Sequence, residues 1–394
     1  MKPATSSLST LLYTLAALIA LTPLAVDAYL PAMPVMATYF STSIHNIELS
    51  LSLFLAGFSL GQLVGGPFSD HFGRRHTIFS GLLIFAIGTI GIIFSASIAD
   101  LLSFRGLQAF GGGIAIVNCS AIIRDISSGK DSARNLSHMA LMMMMAPLFA
   151  PIIGVLLLQI NGWHSIFVFL LVYAVLIAFF IYRNVPETRQ IHQDRPNVLR
   201  RYLSVLIHRH ALGYLFALSC ASGGMFAFIT SSPSVYMGYF EVSETFYPLL
   251  FGANIISMVI MNRLNVHLLP YFEPSTLLSL GQLIQLSSGL ILLGHISLSN
   301  TPSLPVVTGL IMLFIGSQSF IVANATSSAI EFFPNNSGTA TALLGASAFA
   351  TGAVTGSLVS LLGDGTPLPM AMVMAGCAIL GLVLRVLFHG RKIR

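Results

Sequence analysis

The sequence predicts an all-α membrane protein with twelve transmembrane helices in two six-helix, pseudo-symmetric halves and both termini cytoplasmic. Three observations predict it. First, only 31 of 394 residues carry a fixed charge (18 Lys and Arg, 13 Asp and Glu), 8% of the chain, while 55% are hydrophobic. A soluble protein carries about 25% charged residues. Second, a span needs about 20 apolar residues, and apolar runs separated by short polar breaks occur at 9–35, 46–69, 77–98, 101–124, 135–159, 164–183, 209–233, 246–266, 275–298, 302–325, 337–361 and 367–388. Third, the charges sort by face. With the N-terminus inside, every basic residue except Arg105 falls at an inner end or in an inner loop, and the outer ends hold Glu48, Asp100, Glu241, Glu244 and Asp364.

The same arithmetic excludes other classes. Disordered chains are polar and charge-rich. The net charge of +5 is not gathered into a basic tract that would follow a nucleic acid backbone. No HExxH, no paired intramembrane aspartates and no Ser-Lys or Cys-His constellation marks an enzyme, and no soluble output module is present. Cys119, Cys220 and Cys377 lie apart in apolar runs and read as small buried hydrophobes. The apolar N-terminus continues past Val26-Asp27-Ala28 and reads as a span rather than a cleaved leader. The longest polar connection, 184–208, separates a first bundle, 1–183, from a second, 209–394.

Span 1 contains Asp27 about two-thirds of the way to the outer face, within Leu24-Ala-Val-Asp-Ala-Tyr-Leu-Pro31. A charge at mid-helix costs about 2.5–3.5 kcal/mol on insertion scales, so it marks a pathway, a proton relay or a paired charge. Span 4 enters from the outer face and carries Arg105 about one turn in, at similar depth, with Gln108 one turn deeper on the same face. A carboxylate that burial would keep protonated and Arg105 would ionise can exchange a proton near neutral pH. A static ion pair, or an Arg105 reaching outward, accounts for the same residues.

Between spans 2 and 3, Gly66-Pro-Phe-Ser-Asp-His-Phe-Gly-Arg-Arg75 turns the chain tightly: Gly66 and Gly73 allow close approach and positive φ, and Asp70, Arg74 and Arg75 can meet helix ends or each other. Span 5 carries Pro147 and Pro151 four apart and Gly154, the pattern of a kinked, close-packing helix. Span 7 contains Phe226, Phe228 and Tyr236 with hydroxyl residues and Pro233, and span 8 contains Asn254; these read as cavity wall. Buried polar groups look scarce in the second half, with Asn254 and Asn324 the candidates.

The loop at 66–75 resembles the GxxxDxxGRR signature of the major facilitator superfamily, with His71 where an Arg is common. Asp27-Ala-Tyr-Leu-Pro31 resembles the first-helix DxYLP signature of its Bcr/CflA drug-resistance type, and Ile122-Ile-Arg124-Asp125 closes span 4 as it does there. Arg105-Gly-Leu-Gln108 resembles the RxxQG motif of proton-coupled facilitators, with Ala109 in place of the Gly, and span 5 partly resembles the antiporter motif, with Ala146 and Ala150 in place of Gly. The resemblance implies the major facilitator fold and a monomeric, proton-coupled multidrug efflux transporter of the bacterial cell inner membrane. Such a transporter exports amphipathic drug-like molecules by alternating access. Its partners are small-molecule substrates, protons and the bilayer, with no nucleic acid and no cofactor besides the proton gradient. It implies that Asp27, Tyr29, Arg105 and Gln108 serve substrate and proton. It also implies that Asp70 latches near Ser337 and Gly338. A dedicated metabolite or siderophore exporter, or a proton-coupled importer, shares the same fold.

Overall fold

The computed structural model describes residues 8–127, 129–188, 198–333 and 337–389, without the side chains of 8, 124, 129–144, 198–201, 337 and 389. The central arginines at 189–201 and the basic tail at 391–394, on which part of the sidedness expectation rests, lie outside the described side chains. All regular structure in the described residues is helical: α1 Leu8–Asp27, α2 Met33–Tyr39, α3 Ile44–Phe72, α4 Arg74–Ile93, α5 Ile98–Ile126, α6 Gly129–Asn161, α7 His164–Asn184, α8 Val198–Ile207, α9 Arg209–Pro233, α10 Tyr247–Leu268, α11 Pro274–Leu298, α12 Leu304–Glu331, α13 Ser337–Leu362 and α14 Leu368–His389. Eleven spans among the described residues are long and apolar enough to cross a bilayer, and α6 contributes a shorter apolar stretch, Met145–Asn161. The chain is therefore a multi-pass membrane protein.

It forms two compact units, Met1–Arg195 and Pro196–Arg394. In the first, α5 is central, packed on α3 and α4, while α1 packs on α6 and α7. Small residues make the close approach possible. A Cβ on Gly57 or Gly61 of α3 would run into the carbonyls of Gly106 and Phe110 on α5, and one on Gly81 of α4 into that of Gly111. In the second unit α9 packs on α12, α13 and α14, and α10 and α11 on α12.

Span 1 is broken. Pro31 has no N–H to offer the carbonyl of Asp27, and its ring crowds that carbonyl. So α1 stops at Asp27, a short 3₁₀ turn, Leu30–Ala32, follows, and α2 resumes. Span 7 is also irregular: past Pro233 a π-turn covers Ser234–Tyr239, a feature frequent at functional sites.

The connection 184–208 is not wholly irregular, because α8 lies within it. Its signal is the apolar set 198, 199, 202, 205 and 206 at helical spacing, with Arg200, Arg201 and Ser204 between them. Val205 is buried, and α8 packs on α9 and α13.

Candidate functional site

The break in span 1 puts the Asp27 side chain at the C-terminal, negative end of α1. The residue is buried and its Oδ1 has no hydrogen-bond partner. Arg105, wholly buried on α5, stands against the same break. One of its terminal nitrogens donates to Gln108 Oε1 at 2.7 Å and the other to the Ala25 carbonyl at 3.1 Å. In an unbroken helix that carbonyl would take the Tyr29 N–H. A cation at a helix C-terminus is favoured by the exposed carbonyls and the dipole together.

Aromatic rings complete the cradle. The guanidinium carbon lies 4.2 Å from the Tyr29 ring centroid, 4.5 Å from Phe54 and 5.7 Å from Phe167. Gln108 is oriented in turn, because its Nε2 donates to Thr89 Oγ1 at 2.9 Å. Tyr29 shares a hydrogen bond with Ser50 Oγ at 3.2 Å. Residues of α1, α3, α4, α5 and α7 thus meet at one point.

A static ion pair between Asp27 and Arg105, the alternative reading of the sequence, is not formed. The ion pairs seen among the described residues include His45–Glu48, Arg74–Asp70, Arg74–Asp125 and His76–Glu187, and none joins Asp27 to Arg105. Nor does Arg105 reach outward. It is held by an amide, a carbonyl and three rings, and the carboxylate is left without a cation.

α6 closes on this point. A Cβ on Gly154 would run into the carbonyl of Ala28, the first residue after the break. Pro147 and Pro151 lie inside the same helix, which packs on α1 and on the 3₁₀ turn. Gly154→Ala is therefore expected to force α6 off the break. The overpacking costs about 1–3 kcal/mol, read as a lower melting temperature of the purified protein in detergent. An unchanged melting temperature would refute the close contact.

At the other end of α3, Gly73 (φ 101°) makes a one-residue turn into α4. Arg74 donates to Asp70 at 2.7 Å, to Ser69 Oγ at 2.8 Å and to Asp125 at 3.1 Å. Thr188 also donates to Asp125, at 3.1 Å. Arg75 donates to the Tyr182 carbonyl at 2.9 Å and lies over the Tyr182 ring. Gly66 is inside α3 rather than in the turn. Of the inner end of span 4, Asp125 belongs to this cluster and the Arg124 side chain lies outside the described residues. So does that of Ser337.

Glu187, which sequence reasoning passed over, caps α4. Its carboxylate accepts from the backbone N–H groups of Arg74 at 2.9 Å and Arg75 at 3.1 Å. α4 has no side-chain N-cap of its own, so an acid just past span 6 was the available signal. Glu187→Ala is expected to lower stability by about 0.5–2 kcal/mol, the usual range for a lost cap. Thermal unfolding of the purified variant checks this.

In the second unit Phe228, Tyr236, Tyr247 and Phe251 form one aromatic cluster, with ring centroids 6.0–6.2 Å apart. Asn254 and Thr308 lie beside the Tyr236 hydroxyl. Phe226 is not part of it: its ring packs on Phe349 at 5.3 Å and over Gly352.

Buried polar groups are not scarce there. Asn265, Gln282, Gln285 and Gln318 are buried besides Asn254 and Asn324. Asn324 donates to Asn265 at 2.8 Å, Gln318 to Ser222 at 3.0 Å, and Arg385 to Gln282 at 2.7 Å. Single amides spread through apolar runs have no sequence pattern, and only packing brings them together.

The family model described as Major Facilitator Superfamily matches residues 15–357. A bicyclomycin resistance protein homolog of Haemophilus influenzae is 32% identical over 385 residues, covering 97% of this chain and 96% of the relative. A chloramphenicol resistance protein of Pseudomonas aeruginosa is 30% identical over 332 residues, covering 82% and 77%. Among solved structures, a D-xylose–proton symporter superposes with a TM-score of 0.73 at 14% identity, covering 94% of this chain and 96% of that one.

Proposed function

The chain belongs to the Major Facilitator Superfamily, in its Bcr/CflA type, and from that membership we propose that it is a proton-coupled exporter of amphipathic drug-like compounds, working by alternating access in a bacterial inner membrane. It is a transporter rather than an enzyme, and relatives named for bicyclomycin and chloramphenicol resistance support drug efflux.

The observation that carries the proton coupling is the Asp27 carboxyl: buried, at the negative end of a broken helix, without a cation, one residue from Ala28 where Gly154 packs. A group so placed is stable when protonated and needs a cation or water when ionised. Only a difference in proton affinity between the two access states is needed to couple proton entry to substrate exit. One proton entering down about 150 mV supplies roughly 3.5 kcal/mol, at about 2.3 kcal/mol per 100 mV, enough for a gradient of a few hundredfold.

The test is a broad efflux and susceptibility panel in cells lacking their own pumps, followed by pH-gradient-driven uptake into inverted vesicles, with Asp27→Asn as control. Uptake without response to the pH gradient would defeat the proton reading; export of one polar metabolite alone would defeat the multidrug reading. The buried amides of the second unit favour that second reading, since a dedicated polar substrate needs such groups.

A further inference from the structure

The two units repeat one packing: α5 lies on α3 and α4 in the first, and α12 on α10 and α11 in the second. In the first unit an arginine closes the turn between α3 and α4. Arg74, the first residue of α4, joins Asp70 to Asp125, next to the end of α5. In the second unit the acid is repeated and the arginine is not. α12 ends on Glu331, while α11 begins with Pro274.

Between the ends of α10 and α12 and the start of α11 lies a cavity of about 670 Å³, within the range of about 300–1,000 Å³ usual for small-molecule sites. Glu273 and Glu331 bring it two carboxylates, and Tyr214, Tyr271 and Phe332 bring it rings. Neither glutamate side chain makes an ion pair or a hydrogen bond among the described residues. Ser328 also lines the cavity; it is only 8% exposed, and its hydroxyl has no hydrogen-bond partner among the described residues. The carbonyl ends of α10 and α12 add partial negative charge.

The basic groups around it come from three helices. Arg385 of α14 reaches the start of α11, where it donates to Gln282 at 2.7 Å and to the Ser275 carbonyl at 3.0 Å. His208, at the start of α9, lies 4.6 Å from the Phe332 ring, and His267 of α10 lies 6.2 Å from the Tyr271 ring. Two carboxylates thus face a single arginine, itself engaged by an amide and a carbonyl. Ring faces attract cations, and carboxylates beside them repel anions. The lining fits a positive charge carried on an aromatic body.

We propose that this cavity binds organic cations, an ammonium, iminium or guanidinium group on an aromatic body, in the place that Arg74 fills in the first unit. Glu331 and Glu273 balance the charge, the rings hold the body, and Ser328 accepts a hydrogen bond from a ligand N–H. The cavity lies at the end of the second unit where α9 begins, the inner face in the charge reading. There it holds cationic compounds on the side from which they are exported, and in this use it rests on the export reading above.

The test is a binding measurement that needs no transport. The full chain is purified in a maltoside detergent, which carries no ammonium group. The Asp27→Asn background removes the buried carboxyl of the first unit. The probe is N-methylacridinium, a permanent aromatic cation, titrated by fluorescence against empty micelles. Saturable binding is expected. Acridine, the same rings uncharged in weakly alkaline buffer, should bind about fivefold more weakly or not at all. Glu331→Gln and Glu273→Gln should each weaken the cation by up to about fivefold, the upper end for an exposed charge pair, and Glu331→Asp should retain most of the affinity. Equal binding of acridine, or full affinity in both glutamine variants, overturns the proposal. Displacement of the probe by added phosphatidylethanolamine assigns the cavity to a lipid headgroup and also overturns it. Failure of pH-driven uptake bears on the function and these titrations bear on the cavity, so the two readings fail separately.

Discussion

Asp27→Asn is expected to abolish efflux driven by a pH gradient and to return resistance to that of cells without a pump, while the protein folds and inserts as before. Asn is nearly isosteric with Asp and removes only the ability to carry a negative charge. The Oδ1 atom has no hydrogen-bond partner to lose. The neutral amide also sits better than a carboxylate at the negative end of α1. Stability should therefore hold or rise, against the roughly 1 kcal/mol loss typical of a substitution. The checks are pH-gradient-driven uptake in inverted vesicles and the melting temperature in detergent. Full pH-driven uptake by the variant removes Asp27 from the coupling.

Arg105→Ala is expected to fail differently, losing transport and stability together. The truncation strips Gln108 Oε1 and the Ala25 carbonyl of their donor and empties the space between Tyr29, Phe54 and Phe167. An acceptor orphaned inside the protein costs about 1–3 kcal/mol, so the first unit should lose several kcal/mol. Arg105→Lys keeps the charge. A single ammonium does not present the two-pronged fork that reaches Gln108 and Ala25 while its carbon sits over the rings of Tyr29, Phe54 and Phe167. It should regain part of the stability and little of the transport. A lysine variant indistinguishable from the native protein in both measurements would show that charge alone suffices and that the fork and rings do not matter.

The contrast between these variants follows from the partners that Arg105 has, which sequence reasoning left open. Depth and opposite sign allowed an ion pair between Asp27 and Arg105. The broken helix intervened: Pro31 freed backbone carbonyls beside Asp27, and a backbone carbonyl took one prong of the arginine. The spacing Arg105–Gln108 was read correctly as one face, because three residues on a helix always share one. The partner that orients Gln108, Thr89, is on α4, and no spacing connects the two.

The loop at 66–75 was legible for the same local reason. Its glycine, acid and arginines lie within ten residues, and Asp70 and Arg74 are one helical turn apart. Glu187 was not legible. It caps a helix 113 positions earlier in the chain, and an exposed acid in a polar connection has no periodicity to betray it. Glu48, an outer-end acid in the sequence, has its side chain fully buried in α3 beside His45. An acid at a predicted span end reads as solvated, and only the packing of α3 on its neighbours decides that it is sealed.

Composition and local spacing by themselves determined that the chain crosses the membrane many times in two helical sets, where its breakers and charges fall, and which short motifs it carries. These depend on transfer free energies and backbone geometry, which each residue and its near neighbours set alone. Tertiary structure decided which of those charges are compensated: Asp27 without a cation, Arg105 on rings and carbonyls, Glu48 enclosed with His45, Glu187 on α4. Compensation is a property of pairs, and these pairs close only when helices distant in the chain pack within a few ångströms of one another.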